Sequence, residues 1–366
     1  MELKEIDFTD IEERLQGKNV IYGAGHNGKF VYELLDSAGV QTEFFYDDDV
    51  TRWGENYCGK RILSKKKFEL LDKNETNIII SSIYTEKIAE KLIAYGFKKI
   101  YTVLDELLGA TSGHLRFSEC HGDQTYLDQI GRLIALSEDT KTRQYFEVIR
   151  ESVLEGKPKK EIIGLYDSED QYFLNFFREK LEGINFIDGG AYTGDTVREI
   201  LENNIHPAAI YCFEADRDNY SRLENYVRKN SELKGCICEN YALWDCCTQV
   251  GMHRSGYNAC IDLNSESETV QTITIDDYFK NIKVGFVKMD IEGAEKRALT
   301  GGMGVLKRDR PLLAIAIYHS LEDIVEIPQL LMQQLTDYHF IVRSHSNTYS
   351  EAVLYGVPVE SGIRFG

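Results

Sequence analysis

Ile184-Asn185-Phe186-Ile187-Asp188-Gly189-Gly190-Ala191-Tyr192-Thr193-Gly194-Asp195-Thr196 is the stretch on which the reading of the chain turns. A short apolar run, Phe186 and Ile187, reaches an acid and then a glycine-rich turn. Val197, Ile200 and Leu201 follow at helical spacing. Strand, glycine turn and helix in that order make a nucleotide-sized site. Gly190 and Gly194 let backbone approach a ligand where a Cβ would collide. Taken alone the pattern admits any nucleotide, so its meaning depends on the residues downstream.

Outward from that turn, Ala209–Phe213 reads as the next strand and ends at Glu214. A carboxylate there accepts hydrogen bonds from both hydroxyls of a ribose. No Arg adjoins it, which argues against a 2′-phosphate. Asn219–Val227 reads as a helix, and Ala242-Leu243-Trp244 offers the small and flat surfaces that suit an adenine ring. Thr272-Ile273-Thr274-Ile275-Asp276-Asp277-Tyr278-Phe279 precedes an expected strand, Val284–Met289. That strand runs into Asp290-Ile291-Glu292-Gly293-Ala294-Glu295, with Leu299 and Gly301 beyond.

These pieces resemble the FkbM-type S-adenosylmethionine-dependent methyltransferases. The pattern T-[IL]-D-D, then h-K-h-D-h-E-G-A-E-x-x-x-L-x-G, is present, as are D-x-G-A-x-x-G at Asp188–Gly194 and F-E at Phe213-Glu214. The resemblance covers about residues 184–345. It departs where the family's usual proline after F-E is Ala215. What it implies is a seven-stranded class I methyltransferase domain, and the residues of the whole chain read as an α/β fold of two Rossmann-like domains. A small one occupies 1–104, a helical connector 105–182, and a seven-stranded class I methyltransferase domain 183–366. The implied cofactor is S-adenosyl-L-methionine, held by Asp188, Gly190, Ala191, Gly194, Thr196, Glu214, Ala242, Leu243, Trp244 and Asp290. The implied activity is O-methylation of a small-molecule acceptor, chiefly a sugar or glycan hydroxyl.

Asp290, Glu292, Glu295 and His319 are the candidate catalytic residues. Asp290 ends a strand at the sheet edge where ligands bind in α/β folds. Glu292 and Glu295 are three apart and share a face if a helix begins there, though acids at a helix start also answer the macrodipole. His319 ends the expected strand Leu312–Ile317 at the same edge and is a base candidate for the acceptor's proton. Three carboxylates and an imidazole are also hard-metal ligands, so a divalent metal is left open.

The first hundred residues carry a second glycine turn. Asn19–Tyr22 reads as a strand running into Gly23-Ala24-Gly25-His26-Asn27-Gly28, and Thr42–Tyr46 as a strand ending at Asp47. Gly23, Gly25, Gly28 and Asp47 mark a second nucleotide or nucleotide-sugar site, or a turn that has kept its shape without the ligand. Residues 1–17 read as a helical lead-in. In the connector, Tyr172, Phe173, Phe176 and Phe177 read as the aromatic face of a helix capped by Asp167–Asp170, with Tyr172 or Phe173 reaching over the ligand site in one reading. Pro328 reads as the start of a helix. Arg343, His345, Asn347 and Tyr349 lie where a polar acceptor would pass.

The formal charge is -18, from Lys+Arg 42 against Asp+Glu 60, and such a surface repels nucleic-acid backbones. No apolar run approaches the length of a membrane span. Eight cysteines without paired C-x-x-C spacing read as reduced thiols of a cytoplasmic protein. A homo-oligomer is compatible with the sequence. Two rival functions stand beside methyl transfer. One is an NAD-dependent sugar oxidoreductase working through Gly23–Gly28, and the other is a non-catalytic ligand-binding protein that retains only the fold.

Overall fold

The computed structural model describes residues 4–5, 11, 15–82, 84–103, 113–255, 258–261 and 269–363. The chain divides into two compact units, Met1–Ser112 with Ser346–Thr348, and Gly113–His345 with Tyr349–Gly366.

The first unit is a sheet of seven strands: β1 (Lys4–Glu5), β2 (Lys18–Tyr22), β3 (Phe44–Tyr46), β4 (Asn56–Tyr57), β5 (Lys60–Leu63), β6 (Thr76–Ile80) and β7 (Lys99–Thr102). Their order is β1-β7-β6-β2-β3-β5-β4. Only β4 is antiparallel to its neighbour. Alternation along β2 sends Ile21 to a core with Val31, Leu35, Phe45 and Ile79. It sends Val20 and Tyr22 to the opposite core with Tyr46, Ile78, Phe68 and Leu92. Strands buried on both faces in this way read as unbroken apolar runs. The expected helical lead-in is corrected at Lys4–Glu5, which pairs in parallel with Tyr101 and Thr102 and so satisfies its backbone in the sheet. Most of the rest of that lead-in, and the boundary at 104, lie outside the described residues.

The second unit holds a second seven-stranded sheet. Its strands are β8 (Asn185–Gly189), β9 (Ala209–Phe213), β10 (Cys236–Glu239), β15 (Phe286–Met289), β16 (Leu312–Ala316), β17 (Tyr338–Ser344) and β18 (Ala352–Pro358). The order is β10-β9-β8-β15-β16-β18-β17. Neighbours from β10 to β16 are parallel, and β18 is antiparallel to both β16 and β17. The first two strands in sequence among the parallel set, β8 and β9, run outward from the centre, whereas β15 and β16 lie on the other side of β8. The order therefore reverses between β8 and β15, which is where α/β sheets open a ligand crevice at their carboxyl ends. A smaller sheet, β11 (Ala242–Leu243), β12 (Gln249–Ser255), β13 (Asn258–Ile261) and β14 (Thr269–Ile273), follows β10 in the chain, in the order β11-β14-β12-β13.

Helices Gln124–Leu136 and Thr140–Glu155 begin at Asp123 and Asp139, whose carboxylates accept first-turn N–H groups. The second ends at Gly156, which has φ +68°. The aromatic segment that follows is not a helix. Phe173 N–H bonds Asp170 O, Asn175 N–H bonds the Glu169 carboxylate, and Phe177 N–H bonds Leu174 O. These turns leave Phe173 and Phe177 free to pack on Phe286 of the sheet, with ring centroids 6.0 and 6.1 Å away. Side-chain burial thus outweighs the helical ladder here. Pro328 is also corrected, because it lies inside helix Leu321–Gln334. Ser320 starts that helix by accepting the Asp323 N–H, and a buried apolar face compensates for the one bond that proline removes. Among the described residues no helix is long and apolar enough to cross a membrane, and Cys58, Cys120, Cys212, Cys236, Cys238, Cys246 and Cys247 are free thiols.

Candidate active site

The parallel pairing of β8 with β15 sets Asp188 opposite Lys288. Both side chains are buried, and Lys288 Nζ lies 3.1 Å from Asp188 Oδ1. The ammonium also donates to Gly190 O at 2.9 Å. Burial works to discharge Lys288, but the carboxylates of Asp188 and then Asp290 outweigh it and hold its pKa above the usual lysine value. The pair is a charged floor beneath the glycine turn. Asp188 braces that turn from below and does not line the cleft above it.

The turn itself leaves no room for a side chain. Gly190 has φ +74°, and a Cβ there would sit 1.8 Å from Asp290 O. Gly194 has φ +92° and precedes helix Asp195–Glu202, packed on Leu223 and Tyr226. Ala191 and Thr196 are buried behind the turn. Gly190 therefore borders the cleft, whereas Ala191, Gly194 and Thr196 shape its wall from behind.

The cleft is a cavity of about 270 Å³. Glu214 enters it from the end of β9. Its carboxylate accepts the N–H groups of Tyr192 and Asp216, each at 2.8 Å. Burial pushes its pKa up to about 7 in spite of those two donors. Tyr241, Ala242 and Leu243 form the wall beyond it, and Met252 lies on the same cavity. Trp244 does not line it: Arg297 lies over its ring at 4.9 Å, and its backbone packs against Gly301.

The acids stand at the end of the cleft where Asp290 O lies against Gly190. Asp290 follows β15, and His319 follows β16 by way of Ile317 and Tyr318. His319 Nε2 is 2.9 Å from Asp290 Oδ1 and 3.2 Å from Glu295 Oε1, and its Nδ1 is 3.6 Å from Glu292 Oε2. Asp290, Glu292, Glu295 and His319 are thus brought into one group, with Asp290 and Glu292 on the cavity surface. Glu292 has φ +58° and Gly293 φ +91°, and this left-handed pair turns the chain so that Glu295 opens the next helix. Glu295 Oε1 accepts the Ile291 N–H at 2.7 Å. Burial would raise the Asp290 pKa, but the bond to His319 and its charge, then Lys288, hold it well below the usual carboxylate range. Burial would likewise discharge His319, but Glu295 and Asp290 hold it well above the usual imidazole value.

Four further groups belong to this end. Tyr172 Oη donates to Asp290 Oδ2 at 2.8 Å, and Tyr318 Oη lies 3.3 Å from the same atom. Glu351 is bonded to Gln171, and its pKa is pushed up to about 7 by burial and then by the Asp290 charge. Lys288 is the fourth, and it was legible, because it stands two residues before Asp290 on the same face of β15. Tyr318 adjoins His319. Nothing in the sequence marks Glu351. Three of the polar residues expected along an acceptor path are engaged in structural bonds. Arg343 pairs with Asp139 and Asp167, His345 bonds Tyr355 Oη, and Tyr349 Oη accepts the Lys159 N–H.

In the first unit, Ala24 N–H donates to Asp47 Oδ2 at 2.7 Å and Asp49 N–H to Asp47 Oδ1 at 2.9 Å. Tyr57 Oη donates to Gly25 O at 2.8 Å. Gly28 packs so close to Gly23 O that a Cβ would lie 2.2 Å from it. Gly23, Gly25, Gly28 and Asp47 therefore come together, with the Asp47 carboxylate bonded to the Ala24 amide of the turn and to the Asp49 amide of its own loop.

A mostly parallel sheet with a cleft at its switch point, walled by a glycine turn and an acid, defines an α/β domain of the kind that binds nucleotide ligands. Residues 188–342 match the family model of the methyltransferase FkbM domain. The solved structure of methyltransferase FkbM from Methylobacillus flagellatus KT shares the fold, with a TM-score of 0.55 at 18% identity over 95% of this chain and 92% of that one. An rRNA methylase from Streptococcus thermophilus aligns over 50% of this chain and 90% of its own, at 12% identity and a TM-score of 0.34. No curated protein matches the chain.

Proposed function

We propose that the protein is an S-adenosyl-L-methionine-dependent O-methyltransferase whose acceptor is a hydroxyl of a small molecule, chiefly a sugar or glycan precursor. The second unit acts as a class I methyltransferase domain, and the first as a Rossmann-like partner domain. The observation that carries the reading is that the buried Glu214 carboxylate, the bare Gly190 turn and Asp290 line one cavity. A nucleoside cofactor fits these residues. The ribose hydroxyls would donate to Glu214, the adenine would lie along Tyr241–Leu243, and the bare Gly190 backbone would face the amino-acid part.

When bound, the cofactor supplies an electrophilic methyl group on a sulfonium, already attached to a good leaving group. The residues of this chain then have two tasks. They hold the acceptor in line, and they lower the cost of removing its proton. Asp290, His319, Glu292 and Glu295 form the acceptor end, with the tyrosines 172 and 318 fixing the Asp290 carboxylate. The net charge favours a neutral or cationic acceptor over a polyanion.

The test is methyl transfer from labelled S-adenosyl-L-methionine to a panel of nucleotide-sugars, free sugars and oligosaccharides. The reading expects label in at least one acceptor and its loss in Asp290→Asn. Cofactor binding without transfer to any hydroxyl compound would leave the binding-protein alternative in its place.

A further inference from the structure

We infer that Asp290, Glu295 and His319 form a binding site for one divalent cation of the magnesium or manganese class. The inference rests on the methyl-transfer reading of the same cleft and names what holds the acceptor there. The three ligands come from three places: the end of β15, the first residue of helix Glu295–Thr300, and the turn after β16. Their ligand atoms all lie within 4.8 Å of one another.

The spacing is the first argument. His319 Nε2 is 2.9 Å from Asp290 Oδ1 and 3.2 Å from Glu295 Oε1. Neighbouring donors around an octahedral ion with bonds of about 2.1 Å are about 3.0 Å apart. An ion of this class thus enters the triad with little movement of the side chains. Two carboxylates and one imidazole suit a hard or borderline cation.

The second argument is independent of the spacing. Glu295 is fully buried, and its Oε2 has no hydrogen-bond partner. A buried carboxylate oxygen without a donor is costly, and native structures rarely leave one so. A cation bound by this carboxylate offsets that cost. Third, the free edge of the imidazole faces another acid, with Glu292 Oε2 3.6 Å from Nδ1. A carboxylate on the far ring nitrogen orients a metal-binding histidine and selects the tautomer that presents Nε2. The charge agrees. Asp290, Glu292, Glu295, Asp323 and Glu351 cluster at this end, while the nearest ammonium, Lys288, is paired with Asp188.

With three protein ligands, the remaining positions of a six-coordinate ion belong to water and to the acceptor. The site then favours acceptors that offer two adjacent oxygens, such as a vicinal diol. Coordination makes the reacting hydroxyl more acidic.

The experiment is a manganese titration of the chelator-stripped full chain, followed by the electron paramagnetic resonance of free Mn²⁺, with and without S-adenosylhomocysteine. Calorimetry with S-adenosylhomocysteine alone runs on the same samples. One Mn²⁺ per chain is expected, displaced by excess Mg²⁺. At least about tenfold weaker binding is expected in Asp290→Asn and in Glu295→Gln, as for loss of a partner around a ligand. The exposed substitution Glu138→Gln should bind as the parent does. Because Glu295→Gln alters a buried group, the melting temperature is read with and without Mn²⁺. A rise in the parent that is absent in both variants supports the site even where a variant is less stable. No stoichiometric Mn²⁺ in either condition, or binding that neither substitution weakens, overturns the cation site. If S-adenosylhomocysteine still binds in that case, the methyltransferase reading survives, whereas its failure to bind overturns that reading instead.

Discussion

Lys288 Nζ lies 3.1 Å from Asp188 Oδ1 across two adjacent parallel strands, with both side chains buried. The pair joins the strand that opens the glycine turn to the strand that delivers Asp290. Removing one partner leaves a charge without compensation in the core, which costs about 3–5 kcal/mol. Lys288→Met should therefore lower stability by that amount in chemical denaturation. The double variant Lys288→Met with Asp188→Leu should recover most of it, because an apolar pair of similar volume can replace a buried ion pair. A loss in the double variant equal to the sum of the losses in Lys288→Met and Asp188→Leu alone would show that the pair is not coupled.

Glu214 makes cofactor binding sensitive to pH. Its pKa is about 7 in the folded chain, and the ribose hydroxyls require the ionised form as acceptor. Affinity is thus full above that value and declines as pH falls through it. Between about pH 8 and about pH 6, S-adenosylhomocysteine should bind about tenfold more weakly, from the ratio of ionised fractions. Calorimetry on the parent and on Glu214→Gln checks this, since the variant should bind weakly with a flat profile.

Glu199 supplies a test of stability. Burial, and then the Asp195 charge, raise its pKa to about 7 from the ordinary 4.5. The folded state therefore holds a proton that the unfolded state has lost. The sign follows: its contribution is favourable below about pH 4.5 and is lost as pH rises through about 7. Glu199→Gln should raise the melting temperature at about pH 8 and leave it nearly unchanged at about pH 5. A shift of equal size at both values would contradict the assignment.

Gly190→Ala should remove cofactor binding and destabilise the chain. The added Cβ meets Asp290 O at 1.8 Å, and φ is +74°. Strain of this kind costs on the order of 1–3 kcal/mol before the clash is counted. Thermal unfolding and cofactor titration on the same sample measure both effects.

What the sequence disclosed follows from the physics of each signal. Asp188, Gly190, Glu214 and Asp290 stand at strand ends, where an apolar run stops at an acid or a glycine, and such edges survive in one dimension. The aromatic spacing of Tyr172–Phe177 fits a helix, whereas Phe173 and Phe177 reach Phe286 from turns. Pro328 resembles a helix start in isolation, but the Ser320 cap lies eight residues earlier and the buried face carries the helix through it. Glu351 joins the acids from a turn beyond β17, and no local pattern in the sequence predicts that approach. Ala191, Gly194, Thr196 and Trp244 belong to the motif and yet stand behind the cleft, because a pattern records which residues build a turn and not which of them face the ligand.

The most direct measurement is a competitive titration of the full chain with S-adenosylhomocysteine and NADH. The account predicts that S-adenosylhomocysteine binds one per chain. It also predicts that Glu214→Ala weakens it by about tenfold or more, as expected for loss of hydrogen bonds to a charged acceptor. Binding of NADH with no affinity for S-adenosylhomocysteine would contradict it.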